Sequence, residues 1–136
     1  MALGVLAFRT GLAETLGRGI TGLVPVGGGL GLLCAATLAG ALVSEVTSNT
    51  ASANMVVPVV IAVARAAGVD PLEPALGATL GSGLGFMLPV STPCNAIVYA
   101  SGLVPLRKMA AYGLLLDVVG VAVIITVVWA VGPFVR

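Results

Sequence analysis

The chain has 136 residues, of which 59% are hydrophobic and 8% charged, with a formal net charge of +1 and a mean hydropathy of +1.18. A soluble domain carries roughly 25% charged residues, so a chain without that hydrophilic coat is read as an integral membrane protein. The lack of histidine excludes Ser-His and Cys-His catalysis, and 4% aromatic residues with no basic run exclude nucleic-acid binding.

At the N-terminal end, Arg9, Glu14 and Arg18 interrupt the apolar stretch, so no signal peptide is evident. Such a start fits a mature protein or a piece of a longer chain. Leu12, Leu16 and Ile20 recur at helical spacing with the charges off that stripe. They predict an interfacial amphipathic helix over residues 11–22, or equally the end of a spanning helix. The stretch "VPVGGGLG" is a breaker.

An apolar arm then leads to "SEVTSNTASAN", residues 44–54, and a second apolar arm leads away from it. Spanning takes roughly 20 helical residues at 1.5 Å each. The second arm has about 14 before Arg65, short of that length. The pattern predicts a re-entrant helical hairpin over residues 27–67, with a polar tip at 47–50 near the midplane. Non-helical backbone is tolerated at that depth only where protein or a polar cavity surrounds it.

Arg65, Gly68, Asp70, Pro71, Glu73 and Pro74 mark a water-exposed turn. Residues 74–104 read as one crossing, broken where Pro89 and Pro93 disfavour helix, with an unwound 89–95. "PLRK" is a basic turn, and residues 108–132 form a C-terminal transmembrane helix. Arg107 and Lys108 make that turn cytoplasmic by the positive-inside rule. The turn at 65–74, the segment around Pro25 and Arg136 then lie outside.

Both polar breaks offer hydroxyl, amide and carbonyl oxygens, which suit a hard cation such as Na⁺, and helix N-termini, which suit an oxyanion. Broken helices meeting at the midplane are how secondary transporters build their sites. The competing reading for Asn49 and Thr50 is helix capping alone, and for "PVSTPCN" a proline kink. Glu45 is read as a proton carrier, as a hydrogen-bonding strut for the hairpin, or as a vestibule residue. Asp117 is expected to meet a partner on a neighbouring helix. "GSGLG" around Ser82 is a weak small-residue packing motif, and Ser82 as a nucleophile would lack a histidine. Cys34 and Cys94 show no metal spacing, and Cys34 reads as a core residue.

"SEVTSNTASANMVVPVV" followed by "GFMLPVSTPCNAIVYASG" resembles the C-terminal half of the divalent anion:sodium symporters, the dicarboxylate, citrate and sulfate carriers. The resemblance implies an all-α membrane protein that forms the second of two inverted repeats. It implies sodium-coupled transport of a small dianion, not an enzyme. Ser48, Asn49, Thr50, Thr92, Pro93 and Asn95 would contact substrate; Ser44, Thr47, Asn49 and Ser91 would surround Na⁺. It also implies a lipid bilayer, in a bacterial inner membrane, a first repeat supplying the rest of the site, and a homodimer when complete. The chain departs from the family in reading Thr92-Pro93-Cys94-Asn95, where members often have two prolines, and in carrying one Ser-Asn-Thr. The alternatives are a helical subunit without transport of its own and a carrier of arsenite-like cargo.

Overall fold

A computed structural model of the chain describes residues 28–135; the interfacial helix expected over 11–22 lies outside them. The described residues form five helices and no strand: α1 (Gly28–Val46), α2 (Asn49–Ala66), α3 (Leu72–Gly81), α4 (Pro93–Ala100) and α5 (Leu106–Val135). Three of these, α1, α2 and α5, are long and apolar enough to cross a membrane.

Leucine- and alanine-rich sequence favours helix throughout α1. The two hairpin arms are separated only by Thr47 and Ser48. Ser48, in extended backbone, accepts a hydrogen bond from Ala51 N–H and caps α2. Asn49 and Thr50, expected at the tip, therefore open the helix. α2 is 18 residues long as a result, not about 14, so length alone allows either arm to cross. The far end of α2 closes at Gly68, whose φ of +68 only glycine adopts readily. There Gly68 N–H bonds to Arg65 carbonyl and Val69 N–H to Ala64 carbonyl, a Schellman closure. It folds Val69 onto the apolar cluster of Leu32, Val63 and Ala64.

α3 packs chiefly on α1 and also touches α2 and α5. The crossing is close because small residues face each other. A methyl added to Gly77 would sit 2.5 Å from Leu33 Cδ1 and Thr37 Oγ1; one on Gly40 would sit 2.5 Å from Ala78 carbonyl oxygen. At Gly81 it would run into the Thr37 backbone. Lipid gives apolar helices little reason to associate, so van der Waals contact between closely spaced backbones does the holding. The small-residue seam is thus Gly40, Gly77 and Gly81, the last of them the first residue of "GSGLG", whose Ser82 also lies against Gly40.

The irregular stretch after α3 runs from Ser82 to Thr92, earlier than the expected 89–95. Glycine chemistry decides this. Gly83 and Leu84 N–H groups turn back to the carbonyls of Leu80 and Gly81, and Gly85 takes a φ of +148. Pro93 starts a helix here instead of breaking one. It occupies the first turn of α4, where its missing N–H costs nothing. α4 buries none of its residues. α5 runs 30 residues, roughly 45 Å at the usual rise, and turns Leu114, Leu115, Val118 and Val119 outward.

Candidate functional site

The two polar breaks meet at Gly85. Ser44, fully buried at the end of α1, places its hydroxyl 2.7 Å from Asn49 Oδ1 and 2.8 Å from Ser82 carbonyl oxygen. Asn49 donates through Nδ2 to Gly83 carbonyl at 3.3 Å. From the other side, Ser91 Oγ donates to the carbonyls of Gly85, at 2.5 Å, and Leu88, at 2.8 Å. Asn95 Nδ2 donates to the same two carbonyls, at 2.9 and 3.1 Å, and to Ser91 Oγ at 3.1 Å. A Cβ on Gly85 would come within 3.1 Å of Ser44 Oγ, 3.4 Å of Ser91 Cβ and 3.5 Å of Asn49 Oδ1. Two side-chain oxygens and the Ser91 β-carbon therefore crowd one bare Cα, while Ser91 Oγ bonds the carbonyl of the same residue.

That donor set contains only oxygen, the chemistry a hard alkali cation takes. Ser44, Asn49 and Ser91, three of the four residues expected around Na⁺, fit it. Thr47 does not join them: its hydroxyl donates to Val43 carbonyl one turn back, at 2.8 Å. Of the six residues expected at substrate, Asn49 and Asn95 belong to the cluster. Ser48 and Thr92 act as N-caps of α2 and α4, with Thr92 Oγ1 accepting from Asn95 N–H at 3.1 Å. Thr50 and Pro93 lie exposed in the first turns of those helices. Capping falls to Ser48 and Thr92, not to Asn49 and Thr50, and Pro93 opens a helix without kinking one, while Asn49 and Asn95 reach across.

Four contributors were not in the expected set. Ser52 and Ser82, each buried, approach at 3.1 Å between hydroxyl oxygens; Ser52 also donates to Gly40 carbonyl at 2.9 Å and Ser82 to Ala78 carbonyl at 2.8 Å. They fasten hairpin to break. A signal existed: Ser52 lies one helical turn after Ser48, and Ser82 stands in an otherwise apolar, glycine-rich run. Gly85 is marked in sequence only as one glycine among several. Glu45 acts as a strut, its two oxygens accepting from Met87 N–H at 3.1 Å and Leu88 N–H at 3.0 Å. Asp117 lines a cavity together with Glu45 of α1, with neither of its oxygens in a hydrogen bond.

The sequence comparisons agree with this architecture. The family described as the sodium:sulfate symporter transmembrane region matches residues 1–135. The sodium-dependent dicarboxylate transporter SdcS of Staphylococcus aureus strain USA300 is 40% identical over 92 residues, as is that of strain NCTC 8325. Those residues are 68% of this chain and 18% of the transporter, so the match spans less than a fifth of its relative's length. With a family match across nearly the whole sequence, and three apolar helices of spanning length, the chain is an integral membrane protein that belongs to the sodium:sulfate symporter family.

Proposed function

We propose that this chain supplies about half of the binding site of a sodium-coupled carrier for a small divalent anion, a di- or tricarboxylate such as succinate or citrate, or sulfate. The observation that carries the reading is the convergence on Gly85 of Ser44 Oγ and Asn49 Oδ1, beside its Cα, and of Ser91 Oγ, at its carbonyl. In this reading Ser44, Asn49 and Ser91 hold Na⁺, with Thr47 contributing once its helix end adjusts. Ser48, Asn49, Thr50, Thr92, Pro93 and Asn95 face the substrate, where the first turns of α2 and α4 offer N–H groups to an oxyanion. The hairpin is re-entrant because its polar turn is fastened to the irregular segment, between apolar helices, and not to a surface loop. A first repeat completes the site, and the complete carrier is a homodimer in a bacterial plasma membrane. A relative named for dicarboxylate and a family named for sulfate frame the cargo.

The test is uptake into proteoliposomes containing the complete carrier, under an inward Na⁺ gradient, with labelled succinate, citrate and sulfate in separate runs. One of the three is expected to accumulate only with Na⁺. Asn49→Ala is expected to lower that uptake at least tenfold, because losing a binding hydrogen bond worth about 1.4 kcal/mol costs that factor. Wild-type uptake by Asn49→Ala well below saturation, or accumulation indifferent to Na⁺, overturns the reading.

A further inference from the structure

A glycine in the interior of a helix is less favourable than an alanine, so one within the long apolar α5 calls for a reason. Gly113 is buried, one turn from the buried Met109 on the same face. A Cβ on it would sit 2.5 Å from Met87 Cα and from the carbonyl carbon of Phe86, and would run into the Phe86 carbonyl oxygen. All three of those atoms are backbone. The irregular segment therefore lies with its main chain directly on α5. Gly120, two turns further on, is a different case. A Cβ there would meet Leu84 Cδ2 at 2.8 Å and Cδ1 at 3.2 Å, the end of a side chain that can rotate away.

The backbone resting on Gly113 is tied into the oxygen cluster at both ends. Before it, Gly85 carbonyl accepts from Ser91 Oγ and Asn95 Nδ2. After it, Leu88 carbonyl accepts from the same two groups. On α1, Glu45 accepts from the N–H groups of Met87 and Leu88. Phe86–Leu88 is thus held between α1 and α5, with no helix or strand of its own to keep its shape. Carbon atoms in contact rest about 3.5–4.0 Å apart, so a methyl at position 113 would drive Met87 Cα back by about 1 Å. A binding constellation works when its groups are held within about 0.5 Å. The displacement exceeds that tolerance.

We propose that Gly113 is a positioning residue for the candidate site. By having no side chain it seats Phe86 and Met87 on α5, and so sets the spacing between the two halves of the cluster, Ser44 with Asn49 and Ser91 with Asn95. It lies outside the cluster and acts through the backbone that the cluster grips. The inference rests on the reading of that cluster as the Na⁺ site.

The test is the Na⁺ dependence of uptake by the complete carrier in proteoliposomes, for the wild type, Gly113→Ala and Gly120→Ala. Gly113→Ala is expected to raise the Na⁺ concentration for half-maximal uptake about tenfold, since a 1 Å misplacement can cost up to about 100-fold. Gly120→Ala adds the same methyl to the same helix and is expected to keep the wild-type value, because Leu84 moves aside. A Gly113→Ala carrier with lowered maximal rate and wild-type Na⁺ half-saturation would mark a merely structural glycine and overturn the inference alone. A wild type indifferent to Na⁺ overturns the functional reading and this inference with it. Should Gly113→Ala fail to fold, hydrogen exchange on the wild type decides. The amides of Met87 and Leu88 are expected to be protected before any Na⁺ is added, since α5 and Glu45 hold them without it. Exchange at the rate of an unstructured chain, slowed only when Na⁺ binds, would mean that the ion and not α5 positions the segment, and the inference would fall.

Discussion

Gly85 carries more of the site than any single polar residue. Its φ of +148 is a conformation that side chains other than glycine adopt at a cost of order 1–3 kcal/mol. Its missing Cβ is also what lets Ser44, Asn49 and Ser91 draw together. Gly85→Ala is therefore expected to do two things: lower the thermal stability of the detergent-solubilised protein by a few degrees and abolish any added stabilisation by Na⁺. Retention of full Na⁺ stabilisation in Gly85→Ala would show that the oxygens do not act as one group. The polar half of this cluster was legible in the sequence, since Ser, Thr and Asn concentrated within apolar runs imply polar surroundings in lipid. The glycine was not, because a sequence does not say which of 19 glycines takes an unusual φ. Thr47 stands apart from the cluster for a related reason: a hydroxyl at the last turn of a helix has a nearer acceptor four residues back, here Val43 carbonyl.

At the scale of elements, the seam between α1 and α3 decides where the irregular segment begins. Gly77 and Gly81 lie on one face of α3, a turn apart, and let the Thr37 turn of α1 come close. The two helices thereby bring Ser44 and Ser82 into hydrogen-bonding range. Gly81→Ala would force the methyl against Thr37 backbone, which cannot swing aside as a side chain tip can. A loss of about 1–3 kcal/mol is expected, as for other overpacked contacts. Gly29→Ala, whose methyl would make an ordinary 3.5 Å contact with Val69 Cγ1, serves as the control. Chemical denaturation of both variants in mild detergent checks this, and equal midpoints would remove the seam from the account. Helix positions were legible here from apolar runs and their flanking breakers. The start of the break was not, because prolines were given more weight than glycines. Pro93 shows why: at the first turn of a helix it is compatible with helix, and Thr92 with its cap made it so.

For the whole molecule, the depth of the Thr47–Ser48 turn separates a re-entrant hairpin from two ordinary spans. By the positive-inside rule the end of α5 that carries Arg107 and Lys108 is expected in the cytoplasm, and the turn before α3 is expected outside if residues 74–104 cross once. A re-entrant hairpin then keeps its turn reachable from outside, whereas two full crossings carry it to the cytoplasmic surface. Thr50 is exposed and close to the turn, while Ser52 is buried and bonded, so Thr50 is the position for a reporter. In a background with Cys34 and Cys94 replaced by serine, Thr50→Cys is expected to react with a membrane-impermeant thiol reagent from outside only. Na⁺ with substrate should slow the reaction severalfold. Fast labelling from the cytoplasmic side, unaffected by either ligand, would make the hairpin a pair of ordinary spans. Its membrane character was plain from composition, and its all-helical class was implied by the family resemblance. The depth of its turn was not, because α2 begins inside the polar stretch and recovers a spanning length.

The hold on Ser82–Thr92 has an evolutionary consequence. A helix or sheet fixes its backbone through a ladder of main-chain bonds, which nearly any sequence can make. Here Ser44, Glu45, Asn49, Ser91 and Asn95 do that work through their side chains. Each of those bonds is separately encoded and can be altered by one codon while the flanking helices keep their shape. The stretch of chain nearest the candidate site is therefore one whose form single substitutions can change while its scaffold stays in place.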